Sequence, residues 1–417
     1  MKKVVVIGAG AAGMMAAATA ADRGLDVTLI EKNHRVGRKI LITGKGRCNI
    51  TSDCDIEELI ENVPTNGKFL YSAFYTFTNT DVINMFNSLG VKTKTERGKR
   101  VFPESDKAHD IANALEKQIK NKKVKLMLNS QVDKIISKDN KIEKVIIKDN
   151  SPTRGSKDKK EIKCDAVIIA TGGLSYPLTG STGDGYKFAK SLGHTIIDTK
   201  PSLIGIEVQE KFVTELEKLS LRNIAISVYN SKNKKIYDDF GELEFTKYGL
   251  DGPVIKSASC RMKDTTKENY KISIDLKPAL DEEKLDKRVQ KDFQKYTNKK
   301  FEKALDDLLP KKLIPVIIKL SEIDPQTVVH QISKEQRKNL VKLLKNFTFT
   351  VKRYRPIEEA IITSGGIKVS EINASTMESK LIEGLFFAGE VIDVDAYTGG
   401  FNLQIAFSTG YLAGYYC

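Results

Sequence analysis

Gly8, Gly10 and Gly13 stand in the spacing G-x-G-x-x-G, and Glu31 follows the last of them at a distance of 18 residues (31 − 13). In that pattern the first glycine allows a tight turn, the second lets backbone come up against a pyrophosphate, and the third lets a helix pack closely on a strand. Backbone N–H groups of Ala11 and Ala12 then open the helix that faces the phosphates, and a carboxylate at Glu31 accepts hydrogen bonds from ribose hydroxyls. An acid at that position argues against a ribose 2′-phosphate, hence against NADP in this particular site. The motif by itself leaves NAD and FAD open.

The elements that must position these residues are legible around them. Val4-Val5-Val6-Ile7 has no polar alternation and is dense in β-branched residues, as expected of a strand buried on both faces of a parallel sheet. The helix runs from Ala11 to Arg23, Gly24 ends it, and Asp26 to Ile30 return as the second strand. A strand before the glycines, a helix after them and an acid at the right distance are the context that gives the motif its meaning.

Further glycine turns follow. Gly37, Gly44 and Gly46 break the segment from residue 37 to 51, and Arg38, Lys39, Lys45 and Arg47 put cations among them. With no regular apolar period, the segment is expected to be a loop that wraps a ligand rather than a helix. Asp165 to Gly173 is a buried strand running through Ala170 and Thr171 into Gly172, and Ser181 to Gly185 opens a helix to Leu192. Gly384 to Asp393 is another buried strand ending in Gly389-Glu390, and the last helix starts at Gly400 with Phe401, Asn402 and Leu403 in its first turn. N–H groups at such a helix start favour an anion or a carbonyl oxygen.

Between these lie more ordinary stretches. Residues 56–90 and 108–120 carry helical apolar periods, and Val124–Leu128, Val132–Ile136 and Ile142–Ile147 are expected to form a small meander. Residues 150–160, with Pro152 and Gly155, are the clearest surface loop, and the sheet is expected to resume at Glu358 to Thr363. From residue 195 to about 356, strand-like pieces and then helices replace the α/β alternation without a second G-x-G-x-x-G, as expected of an inserted domain that shapes a substrate cleft.

Composition bounds the class. At 417 residues the chain has room for two or three domains. There is no apolar run of membrane-spanning length and no signal-peptide pattern, so a cytoplasmic location without membrane partner is expected. Five scattered cysteines without a C-x-x-C pair point to free thiols, and the four separated histidines suggest no metal site. A net charge of +14 is compatible with a nucleic-acid surface, but the lysines lie in small groups often beside acids, which favours solvated faces over a nucleic-acid partner.

Gly8 to Gly13 with Glu31, Gly37 to Asn49, Ala170 to Gly185, Phe245 to Pro253 and Thr363 to Gly410 together resemble the YhiN-type bacterial flavoproteins, aminoacetone oxidase-like or bile-acid-inducible NAD(P)/FAD-dependent oxidoreductases. Lys247 stands where that family usually has histidine, and Lys45 where glycine is frequent. The resemblance implies an α/β fold, a glutathione-reductase-type FAD-binding Rossmann domain (1–195 and 357–417) with a β-rich insert (196–276) and a helical insert (277–356). It implies FAD with its pyrophosphate on Gly8 to Gly13 and its AMP ribose on Glu31. Lys32, Lys39 and Asn49 would line the cofactor together with Arg38 and Gly46, backbone at Val132 would meet adenine, Ala170, Thr171 and Gly172 would flank the dinucleotide, and Gly389 and Glu390 would approach the ribityl chain. N–H groups at Gly400, Phe401, Asn402 and Leu403 would face flavin N1 and the C2 carbonyl and raise its potential.

The activity expected is FAD-dependent hydride transfer involving a small organic substrate, with NAD(P)H as a transient donor. Arg47, Cys48 and Tyr397 are the candidate catalytic side chains, Cys48 as a redox thiol or as packing, and Tyr397 as an acid or a ring shielding the flavin. A flavin oxidase using oxygen, a flavoprotein that binds or modifies RNA, and an NAD dehydrogenase without flavin are the rival readings. Oligomeric state is not legible in the chain.

Overall fold

The computed structural model describes residues 1–149, 159–262, 265 and 267–417. The expected surface loop at 150–160 falls outside the described residues over 150–158, while 159 and 160 begin a strand, Lys159–Lys163. The chain divides into two compact units, residues 1–202 with 356–417, and residues 203–355.

The first unit is built on five parallel strands, β1 (Lys3–Ile7), β2 (Asp26–Ile30), β3 (Lys125–Met127), β4 (Ala166–Ile169) and β5 (Leu385–Phe387), in the order β3-β2-β1-β4-β5. Val4 to Ile7 of β1 are at most 5% exposed. Each fully buried aliphatic side chain of this kind contributes about 1.5–3 kcal/mol. Strand order reverses between β1 and β4, and at such a switch point the loops leave in opposite directions and open a crevice at the carboxyl ends.

Helix α1 (Ala11–Asp22) follows β1 and is buried from Ala11 through Ala20. Its alanines are there for close approach: the last helix, α4 (Phe401–Tyr416), packs along it, and a Cβ on Gly410 would lie 2.5 Å from the Ala12 carbonyl oxygen. Between them in sequence come α2 (Arg38–Ile42) and α3 (Asp184–Ser191).

Three local expectations are corrected. β3 pairs in parallel with β2 at the sheet edge, whereas the antiparallel meander consists of Ser130–Lys138, Lys141–Asp149 and Lys159–Lys163. The segment 358–363 does not rejoin the parallel sheet: Ile362–Ile367 pairs antiparallel with Ile196–Ser202. The segment after Gly37 is not all loop, since Arg38–Ile42 form one helical turn once Gly37, at φ 66°, has turned the chain. Short elements of this kind have too few residues for a period to show.

The second unit is a closed six-stranded antiparallel barrel with a helical attachment. Its strands run in the order Ile206–Val208, Gly249–Asp251, Lys235–Phe245, Ser220–Tyr229, Lys271–Asp275 and Phe347–Tyr354. Helices Glu282–Lys295, Ile314–Ser321 and Lys334–Lys345 precede the last strand and share its apolar core. The two ends of this unit are tied together, the Arg355 N–H donating to the Gly205 carbonyl at 3.1 Å. Among the described residues no helix is long and apolar enough to cross a membrane.

Candidate functional site: a dinucleotide cradle

At the end of β1, the fingerprint glycines divide by role. A Cβ on Gly8, at φ 99°, would meet the Ala170 carbonyl oxygen at 2.6 Å, and one on Gly13 would meet the Gly8 carbonyl oxygen at 1.8 Å. A Cβ on Gly10 would have nothing within 4 Å. Two glycines thus serve internal packing, and the third leaves open space where backbone faces outward. No side chain caps α1, whose N-terminal N–H groups at Ala11 and Ala12 are left to an incoming acceptor.

Glu31 is braced within this turn. It is 8% exposed; Oε2 accepts the Ala9 N–H at 2.9 Å, and Oε1 accepts the Asn33 N–H at 2.8 Å and its Nδ2 at 2.7 Å. Three of a carboxylate's roughly four lone-pair directions are therefore taken by the protein. Asn33 is held in turn by Arg38, whose Nη1 donates to Oδ1 at 2.8 Å. Lys32 reaches the start of α3, pairing with Asp184 Oδ2 at 2.8 Å.

Lys39, Ser175, Thr363 and Glu390 converge from four segments. Lys39 Nζ lies 2.7 Å from both Glu390 Oε2 and Ser175 Oγ; Glu390 Oε1 accepts from Ser175 Oγ at 2.9 Å and from the Thr363 N–H at 2.8 Å. Ser175 and Thr363 fall within segments that carry the resemblance, but their part in the site, like that of Asn33, escaped the sequence reading. The only signal near two of them is a double glycine, Gly172-Gly173 and Gly365-Gly366.

Two buried polar atoms have no hydrogen-bond partner at positions singled out from sequence: Asn49 Oδ1 and Thr171 Oγ1. Buried polar groups are nearly always satisfied, so orphaned ones fit a polar ligand. Thr171 follows β4 into Gly172 at φ 70°, and Ala170 donates its N–H to Ile7 at 2.9 Å, which ties this loop to the first. Gly46, at φ 86°, and Asn49 lie in the loop after α2. Val132 pairs with Ile147 in the meander, next to the irregularity at Asp133.

At the other end Gly389, at φ 75°, would put a Cβ 2.9 Å from that of Ala12, and Gly400, at φ 100°, enters α4 with no side-chain cap. Asn402 does not point outward for a ligand: Nδ2 donates to the carbonyls of Ala396 at 2.8 Å and Tyr397 at 3.2 Å, and Oδ1 accepts the Ala396 N–H at 3.0 Å. It pins the loop that carries Tyr397, whose own N–H donates to Asn62 at 3.0 Å. The first-turn N–H groups of α4, at Phe401 and Leu403 among them, open as those of α1 do.

Two catalytic candidates have surroundings that bear on their expected roles. Arg47 is engaged with acids, Nη2 lying 2.5 Å from Glu96 Oε1 and 2.6 Å from Asp106 Oδ1, with its guanidinium carbon 4.1 Å from the centre of the Phe102 ring. Cys48 is fully buried, and desolvation pushes its thiol up to about 12. The reactive species is the thiolate, which burial disfavours, so of the two roles expected for Cys48 the surroundings suit packing. Among the described residues no group of three His, Cys, Asp or Glu could hold a metal ion.

These features fit FAD on the chain's own chemistry: two uncapped helix starts, open backbone at Gly10, orphaned acceptors and a set of cations. The profile described as "HI0933-like protein Rossmann domain" matches residues 2–416. A 3-dehydro-bile acid Δ(4,6)-reductase of Clostridium scindens is 29% identical over 99% of this chain and 98% of its own. Ribosomal RNA dihydrouridine synthases of Haemophilus influenzae and Escherichia coli are 31% and 29% identical, each over 98% of this chain and 96% of its own. A solved 3-ketosteroid Δ1-dehydrogenase from Sterolibacterium denitrificans shares the fold at a TM-score of 0.52 and 12% identity, covering 99% of both chains. A 3-ketosteroid Δ4-(5α)-dehydrogenase from Rhodococcus jostii does so at 0.51 and 14%, over 99% of this chain and 96% of its own.

Proposed function

From the premise that the chain belongs to the HI0933-like Rossmann family, we propose that it is an FAD-dependent oxidoreductase that saturates a carbon–carbon double bond conjugated to a carbonyl. The printed activities of the relatives support this chemistry. A Δ(4,6)-reductase of a 3-oxo bile acid and a dihydrouridine synthase both act on an alkene activated by a ring carbonyl. The observation in the chain that supports the cofactor half is the uncapped start of α1 with open space at Gly10, together with two buried atoms left without a partner, Asn49 Oδ1 and Thr171 Oγ1.

When bound, FAD supplies the hydride. The protein's own groups bind it, aim it and move one proton. Ala11 and Ala12 N–H groups would hold the pyrophosphate, Glu31 a ribose hydroxyl, and Lys39 with Glu390 the ribityl side. Phe401 and Leu403 N–H groups, at the uncapped start of α4, would favour negative charge on the flavin. The β-carbon of the alkene receives the hydride and the α-carbon a proton, for which the Tyr397 hydroxyl is the candidate donor. NAD(P)H as electron donor remains part of this reading.

The test is anaerobic. Flavin released by heat identifies FAD by its absorption, and NADH or NADPH should bleach it in the intact protein. Reoxidation by a Δ4-3-oxo steroid or by ribosomal RNA, with no oxygen present, is the expected result. Reoxidation by oxygen alone would replace the reading with an oxidase.

A second reading narrows the substrate to uracil in ribosomal RNA. Two relatives' printed names are its support. Binding that weakens steeply as salt rises, and dihydrouridine formed in a transcript, would support it; a salt-independent preference for a steroid would sink it.

A further inference from the structure

The segment Phe245 to Pro253, one of those that carry the family resemblance, lies in the barrel and has no part in the cradle. Lys247 and Tyr248 form the tip of a two-residue hairpin between strands Lys235–Phe245 and Gly249–Asp251. The hairpin is closed tightly. The Thr246 N–H donates to the Gly249 carbonyl at 2.8 Å, the Gly249 N–H donates back to Thr246 at 3.3 Å, and the Val208 N–H donates to the Tyr248 carbonyl at 3.2 Å. A Cβ on Gly249 would lie 2.1 Å from the Ile206 carbonyl oxygen, so glycine is what lets the tip come this close to strand Ile206–Val208.

Register then gathers charge around the tip. Glu207 pairs across the sheet with Gly249 on one side and Arg353 on the other, and cross-strand partners share a face. Glu207 accepts from Arg353 Nε at 2.8 Å and from Arg355 Nη1 at 2.7 Å. The Arg355 guanidinium carbon is 3.9 Å from the centre of the Tyr248 ring, and Lys247 Nζ is 4.8 Å from the same centre. Two cations thus share one aromatic ring, and the acid behind them is itself shared by two arginines. Asp251, the nearby acid of the next strand, is taken by Lys256, and Glu217 is the other acid whose charge reaches Lys247. Among the described residues Lys247 has no carboxylate within ion-pair distance, and Arg353, its side chain 63% exposed, bonds only through Nε.

A ring face attracts a cation, but two cations on one ring repel each other, and one carboxylate cannot neutralise two arginines. Joining the strands would need a single Arg–Glu pair. The additional charge is held in place by the tight hairpin and the buried acid, with Lys247 and Arg353 open to water. Cations fixed in advance, with unused donors, are what capture of an oxyanion requires.

We propose that the tip at Lys247 and Tyr248 is an oxyanion-binding site of the barrel that takes a carboxylate or a phosphate. Lys247 is its direct contact, a point charge beside the exposed Tyr248 ring. Arg353 and Arg355 supply the field behind it, and Arg355 with Glu207 props the ring. The site lies wholly within residues 203–355 and stands apart from the reduction proposed above. A bile acid and an RNA each carry such a group.

Calorimetry at low salt on the full-length protein as purified, with no electron donor, tests the site. The probes are inorganic phosphate, a single-stranded oligoribonucleotide, and a Δ4-3-oxo steroid carboxylic acid beside its methyl ester. Lys247→Ala should weaken the bound anion roughly tenfold, and Lys247→Arg should restore it. Lys232→Ala removes an equal charge from another exposed turn of the barrel and should change nothing. Phosphate and oligonucleotide bound with that pattern identify a phosphate as the ligand; the acid bound more tightly than its ester, with that pattern, identifies a carboxylate. No anion bound, an ester bound as tightly as the acid with no phosphate bound, or equal losses in Lys247→Ala and Lys232→Ala would each overturn the proposal. Should Lys247→Ala melt below the wild type, Arg353→Gln, which removes charge behind the tip, should weaken the same anion, and unchanged affinity there would also overturn it. No reduction is measured, so failure of this site and failure of the functional reading are told apart.

Discussion

Lys39 Nζ and Glu390 Oε2 are 2.7 Å apart, and the Ser175 hydroxyl bridges the same two side chains. Residues 351 positions apart in the chain are joined at the carboxyl ends of the sheet, where the cofactor would pass. Lys39→Ala leaves Glu390 without its cation. A hydrogen bond to a charged group is worth about 1.5–3 kcal/mol, so FAD should bind roughly ten- to a hundredfold more weakly. Equilibrium dialysis of flavin against the variant measures this, and unchanged affinity would remove Lys39 from the cradle.

Gly10 and Gly13 should behave oppositely under the same substitution. Gly13→Ala puts a Cβ 1.8 Å from the Gly8 carbonyl oxygen and should abolish the fold. Gly10→Ala meets nothing within 4 Å and should unfold at the wild-type temperature while losing flavin. Circular dichroism melts beside flavin content separate the two effects.

Cys48→Ala should retain reduction at nearly the wild-type rate, because a thiol pushed up to about 12 is not a nucleophile at neutral pH. The native protein should also leave Cys48 unmodified by a thiol reagent until it is unfolded. A loss of turnover with flavin still bound would restore the redox role.

In the barrel, Glu207 accepts from Arg353 at 2.8 Å and Arg355 at 2.7 Å and is 6% exposed. Burial raises its carboxyl, but the two arginines outweigh burial and hold it below the ordinary range. Its stabilisation is therefore present above the unfolded carboxylate pKa of about 4.3 and lost as pH falls through the folded value. Glu207→Gln should cost about 2 kcal/mol at pH 7 and little in strong acid, read from denaturant melts at both pH values. Asp393 has the opposite sign: its folded pKa, raised by burial, gives stability that is lost as pH rises, so Asp393→Asn should become relatively more stable from about pH 4 toward neutrality.

The first strand, α1, β2 and Glu31 were legible because their signal is local: an unbroken β-branched run, three glycines and an acid within 31 residues. The same holds for Gly172, Gly389 and Gly400, where a turn must leave a strand or enter a helix. What escaped was relational. Ser175 and Thr363 gain their meaning only by meeting across 188 residues, and no residue type announces a partner that far away. Three-residue β3 had no period to read and was grouped with the nearest apolar runs. Arg47 looked like a ligand cation by type, yet Glu96 and Asp106 reach it first. Cys48 and Asp393 show the same rule from the other side, since burial decides their chemistry and burial is a property of the assembled unit.

The bond from Arg355 to Gly205 bears on how the chain finds this fold. The parallel sheet must close β4 against β5 around a 153-residue excursion, 203–355. Closing an unstructured loop of that length costs entropy that grows with the logarithm of its span. Once the barrel forms, its ends are pinned beside each other and the excursion acts as a connection of a few residues. A barrel formed before the sheet would thereby spare β4 and β5 most of that closure cost.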